Sequence, residues 1–308
     1  MDSVFEAARA PLVSMTPEFG RVGVWAPLGR WTDYGGAVGE VAAELEELGF
    51  GTIWIGNGPA TFGLATVLLE ATRRITIATG IVNIKDHPVE RAAAWHAGAS
   101  ARHPGRAVLG LGGGWGRVAG GRPGESWRER MVGYLDALDG WSPPVPRGSR
   151  VLAANGPLML ALARERCAGA HPFLVTPEHT SRARELLGDG PVLAPEQKVL
   201  LETDPLRARS IARRGLAFYL DKPNYLSVLH RIGFAEEDLA AGGSDRLVDA
   251  LVAWGDEAAI AERIDQHLHA GADHVALQIL ADQDDPAATD VTVQQAGYRR
   301  LAEAVTSS

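Results

Sequence analysis

The chain has 308 residues, 46% of them apolar and 22% charged, with a formal charge of −8 at neutral pH. That composition belongs to a folded globular protein and carries the wrong sign for one built to grip nucleic-acid phosphates. One cysteine, Cys167, excludes an intramolecular disulfide and leads us to expect a reducing, cytoplasmic setting. The first residues carry acids without a continuous apolar run, and no apolar run approaches the roughly 20 residues that cross a bilayer. Neither a secretion signal nor a membrane partner is therefore expected.

In chain order the pattern alternates between strand and helix. Arg21–Trp25 reads as a short buried strand. From Ala37 to Leu48, residues Val38, Val41, Ala42, Leu45 and Leu48 recur at helical spacing with Glu40, Glu44 and Glu47 outside, and Gly49 ends the helix. Thr52–Gly56 is the second strand, followed by a helix over Leu64–Arg74. Ile75–Asn83 is the third, and a helix then opens at Pro88. Arg106–Gly112 is the fourth strand. Arg150–Gly156, Ala170–Thr176, Glu196–Asp204 and Asp273–Leu280 complete the set, each followed by a helical pattern. Asp204 caps the helix after the seventh strand, with Pro205 in its first turn. The chain's last helix ends near Val305.

Eight strand–helix units without a linker predict a single (β/α)8 TIM barrel over residues 1–308. A doubly wound sheet with a second domain is the alternative. Two stretches exceed ordinary loop length: Gly112–Ser126 after strand four, and residues 220–254 between strands seven and eight, which read as added helices and a lid candidate. Both would leave from the barrel end where active sites are built.

The run Gly110–Gly116, "GLGGGWG", raises the question of what its backbone approaches. No Lys-Ser or Lys-Thr follows it, so it is no P-loop, and Gly120, Gly121, Pro123 and Gly124 delay the next helix beyond Rossmann spacing. Tight turns alone, or a bare strand tip beneath a flat cofactor, remain as readings. There is no H-E-x-x-H and no cysteine cluster, so no metal is expected; His267 and His269 read as a solvated or capping pair. The G-x-S-x-G elbow of hydrolases is absent. Cys167 reads as core. Asn57, Asn83, Asn155–Gly156 and Thr176 fall at predicted strand ends. Thr176 and His179 could hold an anion at a helix N-terminus, or Thr176 could simply cap it. His87 is a candidate proton donor or a packing residue.

Four blocks, "LEELGFGTIWIGN", "ITIATGIVNIKDHPVERAAAWHAGASARHPGRAVLGLGGGW", "VLAANGPLMLALARERCAGAHPFLVT" and "GDEAAIAERIDQHLHAGADHVALQIL", together resemble the bacterial luciferase-like superfamily of flavin and coenzyme F420 enzymes. "HPFLVTPEHT" and "KPNYLSVLHRIGF" resemble its actinobacterial F420-dependent branch. The resemblance implies a non-prolyl cis peptide at Gly80–Ile81 backing the (deaza)flavin ring, with Asn57, Asn83 and Gly112–Gly114 beside it. It also implies Asn155 and Gly156 near the cofactor tail, and Thr176 with His179 at its phosphate. Two positions depart from the pattern: Asn57-Gly58 replaces an Asp-His pair, and Trp115 stands where some members carry an acid. The expectation is an F420-dependent oxidoreductase passing a hydride between the deazaflavin and a small organic substrate. An FMN-dependent monooxygenase and a non-catalytic flavin-binding barrel are the alternatives. Asn57 and His87 are candidate catalytic residues, Trp25, Trp115 and Tyr225 candidate pocket walls, and a homodimer is expected from the family.

Overall fold

The apolar runs form parallel strands, and the computed structural model describes residues 16–114, 125–282 and 291–306. The strands are β1 Val22–Ala26, β2 Thr52–Ile55, β3 Thr76–Thr79, β4 Val82–Asn83, β5 Ala107–Gly112 and β6 Arg150–Leu152. They continue as β7 Gly169–Ala170, β8 Val192–Leu193, β9 Glu196–Leu200, β10 Val252–Trp254 and β11 Val275–Ile279. The first helices are α1 Leu28–Asp33, α2 Val38–Glu47, α3 Thr61–Ala71, α4 Val89–Arg102, α5 Trp127–Asp139, α6 Pro157–Arg166 and α7 Pro177–Leu187. After β9 come α8 Pro205–Leu220, α9 Pro223–Arg231, α10 Glu236–Leu239 and α11 Asp245–Leu251; α12 Glu257–His269 and α13 Val291–Thr306 flank β11.

The sheet closes into a TIM-barrel-like ring. β1 pairs with β2 on one side and with β11 on the other, and pairing then runs through β3, β5, β6, β7 and β8. Residues 192–200 are one extended segment between the β7 and β11 strands. On one side Ala194 and Glu196 N–H donate to the carbonyls of Ala170 and Pro172 at 2.9 and 2.8 Å, and on the other Leu193 and Pro195 carbonyls accept from Asp273 and Ala276 N–H at 2.9 Å. That segment joins the two ends of the sheet.

Alternation along each strand sorts the core. Trp25, Trp54, Ala78, Val108, Val151, Ala194 and Ala276 form one cluster inside the barrel with Phe19. Their neighbours Val24, Ile53, Ile77 and Leu277 face the helices. The register agrees, with Trp25 opposite Trp54 and Trp54 opposite Ala78. Trp54 is the largest lumen plug: its ring stacks on His171 at 4.2 Å and its indole N–H donates to His274 Nε2 at 3.0 Å.

Several predicted boundaries move. Ile75–Asn83 is two strands, because the chain turns at Gly80–Ile81. The predicted strand Ala170–Thr176 survives only at Gly169–Ala170. Beyond it side chains replace the ladder: Asn155 brackets the Phe173 backbone, donating to its carbonyl at 2.8 Å and accepting from its N–H at 3.0 Å. Leu174 then takes a positive φ of 58°. The insertion is helical up to Leu251 but ends in strand β10, whose Val252 and Ala253 are buried beside Lys198 and Val199. Most of the insertion after the fourth predicted strand, residues 115–124, lies outside the described residues. No helix among the described residues is long and apolar enough to cross a membrane.

The reading of His267 and His269 as a solvated or capping pair is corrected for His267. That ring is fully buried between α7 and β9, with Nδ1 2.8 Å from Thr180 Oγ1 and Nε2 2.9 Å from Gln197 Oε1. Gln197 spends its amide N–H groups on the carbonyls of Lys198 and Leu251, so its oxygen accepts from the histidine. His269 is exposed at the end of α12. Cys167 is half-buried at the end of α6, and burial pushes its thiol up to about 12, as expected of a packing residue.

Four buried histidines tie stability to pH. Burial, in each case the largest cause, lowers His96, His171 and His274 to about 4 and His267 to about 3. Unfolded histidines titrate near 6.5 (about their ordinary value), so as pH falls the unfolded chain takes up protons first. Stability is then lost from about pH 6.5 downward to about pH 4, by up to about 1.4 kcal/mol per pH unit for each histidine. Thermal melts across that window should show Tm falling steadily below about pH 6.5; a flat profile would contradict this assignment.

Candidate functional site

The break in the third barrel strand is held from three sides. The Gly80–Ile81 peptide is cis. From β1, the Trp25 indole N–H donates to the Gly80 carbonyl at 2.6 Å. From β5, Gly110 N–H donates to Thr79 Oγ1, which in turn donates to Gly110 O, both at 2.8 Å. After β2, the Asn57 side-chain oxygen accepts from Asn83 N–H at 2.9 Å. Gly110 is required here, since a Cβ would lie 1.8 Å from the Thr79 carbonyl oxygen. The third strand thus loses its ladder where it breaks, and side chains replace it.

The glycines after β5 border this break. A Cβ on Gly112 would meet the Ile81 side chain at 2.5 Å, so the bulge and the strand tip touch. Gly114 has φ 72° and lies against Asn83 and Lys85. Gly113 is not bare: the Trp127 ring covers it, 2.8 Å from where a Cβ would stand. Trp115 lies outside the described residues.

Both candidate catalytic residues are placed differently from their sequence reading. The Asn57 side chain is spent on the break, accepting from Asn83 and pointing its amide at Asp86 Oδ2 across 3.4 Å. It is a positioning residue. Asp86, which the sequence reading passed over, also faces the Asn83 amide at 3.3 Å and forms a polar knot of exposed Asn57 and Asp86 with buried Asn83. His87 is buried against Phe62, ring centroids 5.2 Å apart, beside the helix-facing core of Val82 and Ile84. Neither ring nitrogen meets a hydrogen-bond partner, and burial, followed by Arg91, lowers its pKa. The packing reading holds, and the reading as a proton donor facing the pocket is corrected.

At the other side of the barrel end, α6 and α7 begin close together. Thr176 caps α7, accepting from His179 N–H at 3.4 Å. Its hydroxyl beside Glu178 holds that carboxyl below the usual range. His179 donates through Nε2 to the Asn155 carbonyl at 2.8 Å, which leaves its buried Nδ1 without a partner. Burial, then Arg231 and Arg182, lower the imidazole's pKa. Gly156 precedes α6, and a Cβ there would lie 3.4 Å from the Arg231 guanidinium. Arg231 ends α9 in the insertion, and Arg182 donates to its carbonyl at 3.3 Å. The two arginines, unsignalled in the sequence because they come from separate elements, add positive charge to the predicted Asn155–Gly156–Thr176–His179 group.

Between these two ends lies an aromatic floor. Trp25, a candidate pocket wall, is buried beneath it with its ring 5.2 Å from Phe173. Phe173 also approaches Tyr219 at 5.3 Å and Tyr225, another candidate wall, at 6.2 Å. Lys198, fully buried, lies 4.1 Å from the Phe173 ring. Burial lowers its pKa, opposed by Glu196 at 2.9 Å. This pair was legible in principle, as charged residues two apart in an otherwise apolar strand. No group of three or more metal-binding side chains occurs among the described residues.

The chain belongs to the luciferase-like monooxygenase family, whose family model matches residues 21–274. It is similar in fold to an F420-dependent secondary alcohol dehydrogenase solved with an F420–acetone adduct, at 15% identity and TM-score 0.68, covering 94% of this chain and 98% of the other. It is likewise similar to coenzyme F420-dependent tetrahydromethanopterin reductase from Methanopyrus kandleri, at 17% identity and TM-score 0.70, covering 94% and 99%. A third similar structure is the FMN-bound oxygenating constituent of 3,6-diketocamphane monooxygenase from Pseudomonas putida, at 16% identity and TM-score 0.62, covering 94% and 98%. No curated protein matches the chain.

Replacing Trp25 by Phe keeps most of the packing but leaves the Gly80 carbonyl unpaired. The expected cost is about 1–3 kcal/mol, read as a lower denaturation midpoint. An unchanged midpoint would remove Trp25 from the support of the break.

Proposed function

We propose that this chain is an F420-dependent oxidoreductase acting on a small organic molecule. The observation that carries the reading is the side-chain-supported break at Gly80–Ile81 in contact with Gly112, a backbone surface on which a flat tricycle can lie. The gap at Gly156 beneath Arg231, with the unpartnered His179 Nδ1 nearby, suits the anionic end of such a cofactor. Similarity in fold to two F420-dependent enzymes is compatible with the deazaflavin, as similarity to the FMN-bound constituent is with FMN.

When bound, F420 supplies a ring carbon that accepts or gives up a hydride. The chain's own residues then bind and orient. Trp25, Thr79 and Asn57 fix the backbone under the ring, and Gly112 leaves room for it. Gly156, Arg231 and Arg182 hold the anionic end. The aromatic floor of Phe173, Tyr219 and Tyr225 keeps water from the other partner. Catalysis here rests on placement of the two reactants.

Titrating the purified protein with F420 and with FMN, followed by ligand fluorescence, tests the cofactor. F420 should bind more tightly; tighter FMN binding would overturn the reading in favour of an FMN-dependent monooxygenase. Arg231→Ala should weaken F420 binding about tenfold, the worth of one charge-assisted hydrogen bond, with Tm unchanged because Arg231 is exposed. Equal affinity of the variant would take Arg231 out of the site.

A further inference from the structure

Inside the mouth, on the side opposite the Gly80 break, β9 and β11 bring together a polar group that no cofactor contact explains. Lys198 Nζ donates to Glu196 Oε1 at 2.9 Å and to Gln278 Oε1 at 2.8 Å. The other Glu196 oxygen accepts from Leu174 N–H at 3.3 Å. The lysine charge is thus already answered, and its ammonium is roofed by Phe173 and Tyr219, at 4.1 and 4.8 Å from the ring centroids. The next charged pair along this side, Arg214 with Asp282, also contacts itself, at 2.6 Å. Among the described residues of β9 and β11, no cation is left without a carboxylate.

Glu196 and Lys198 are buried, but Phe173, Tyr219, Tyr225 and Gln278 are only half-buried and form a rim above them. A lysine has only donors, so it fixes the Gln278 amide with its oxygen inward and its NH2 toward the mouth. No acceptor among the described residues meets that nitrogen. Phe173 links this rim to the break through Trp25, 5.2 Å away, so a molecule on the rim lies beside the proposed ring surface.

We infer that this rim is the substrate subsite and that it takes an uncharged alcohol or carbonyl compound with an apolar body. The substrate oxygen accepts from the Gln278 amide, and the body packs on Phe173, Tyr219 and Tyr225. Carboxylated and phosphorylated molecules are turned away, because Glu196 cancels the buried Lys198 and a second anion there would go unpaired. The inference deepens the oxidoreductase reading and rests on it for the chemistry, but binding at the rim can be measured with no cofactor present.

The test compares benzyl alcohol, benzoate and toluene, which share a ring and differ in charge and oxygen, by saturation-transfer NMR competition on the cofactor-free protein. Wild type should favour benzyl alcohol over benzoate by about tenfold or more, since rejecting an unpaired charge is worth at least that. Glu196→Gln should raise benzoate affinity, reversing the order, by leaving Lys198 unanswered. Gln278→Leu should weaken benzyl alcohol several-fold, an estimate for one lost neutral hydrogen bond of about 1 kcal/mol, and leave toluene unchanged. If Glu196→Gln does not fold, the wild-type order and Gln278→Leu still decide. Benzoate binding to wild type as well as benzyl alcohol, no binding of any probe, or a Gln278→Leu variant with unaltered alcohol affinity would overturn the assignment. Each of those results leaves the F420 titration untouched, so the two readings fail separately.

Discussion

The mouth of this barrel depends on one hydrogen bond, from the Trp25 indole to the carbonyl of Gly80. Where the third strand breaks, its backbone loses the regular ladder, and a buried carbonyl without a partner costs as much as a lost hydrogen bond. Trp25 supplies that partner from β1, while Thr79 and Asn57 supply the others from the same strand and the loop after β2. The same indole then lies against Phe173, whose own backbone is bracketed by Asn155. One aromatic residue therefore couples the proposed cofactor surface to the proposed substrate floor. A shift at either would be felt at the other, because close-packed interiors transmit displacement.

Charge is divided across the mouth. Arg231 stands against Gly156 at the beginning of α6, where a helix N-terminus already favours an anion, and Arg182, midway along α7, donates to the Arg231 carbonyl. On the opposite wall Lys198 is answered by Glu196 and Arg214 by Asp282. An anionic cofactor and an uncharged substrate would thus be sorted to different sides by electrostatics alone. Deeper in the barrel the histidines are neutral and serve as shaped hydrogen-bonding plugs, His171 flat on Trp54 and His274 accepting from its indole.

The placement of much of the candidate site was legible in the sequence. The glycines after β5, the bond at Gly80–Ile81 and the group Asn155, Gly156, Thr176 and His179 all come together at one end of the barrel, as their strand-end positions imply. Side-chain direction was harder. Asn57 looked like a replacement for a catalytic pair and turns out to brace Asn83. His87 looked poised at a helix start and is buried on Phe62. His267 looked exposed beside His269, yet Thr180 and Gln197 enclose it. In each case the deciding partner lies tens of residues away, beyond any local pattern. Arg231 was invisible for the same reason, since it reaches Gly156 from α9 in the insertion.

What the sequence determined by itself is the order of the elements and the kind of each. Periods of two and 3.6 are local consequences of backbone geometry, so they separate strand from helix without reference to the rest of the chain. What only the tertiary structure decided is which of those residues answer one another. The segment around Pro195 bridges the strands on either side of it, Glu196 cancels Lys198, and Trp25 is spent on Gly80 rather than on a ligand. Hydrogen bonds and ion pairs act over about 3 Å, and only closing the barrel brings strands distant in sequence within that reach.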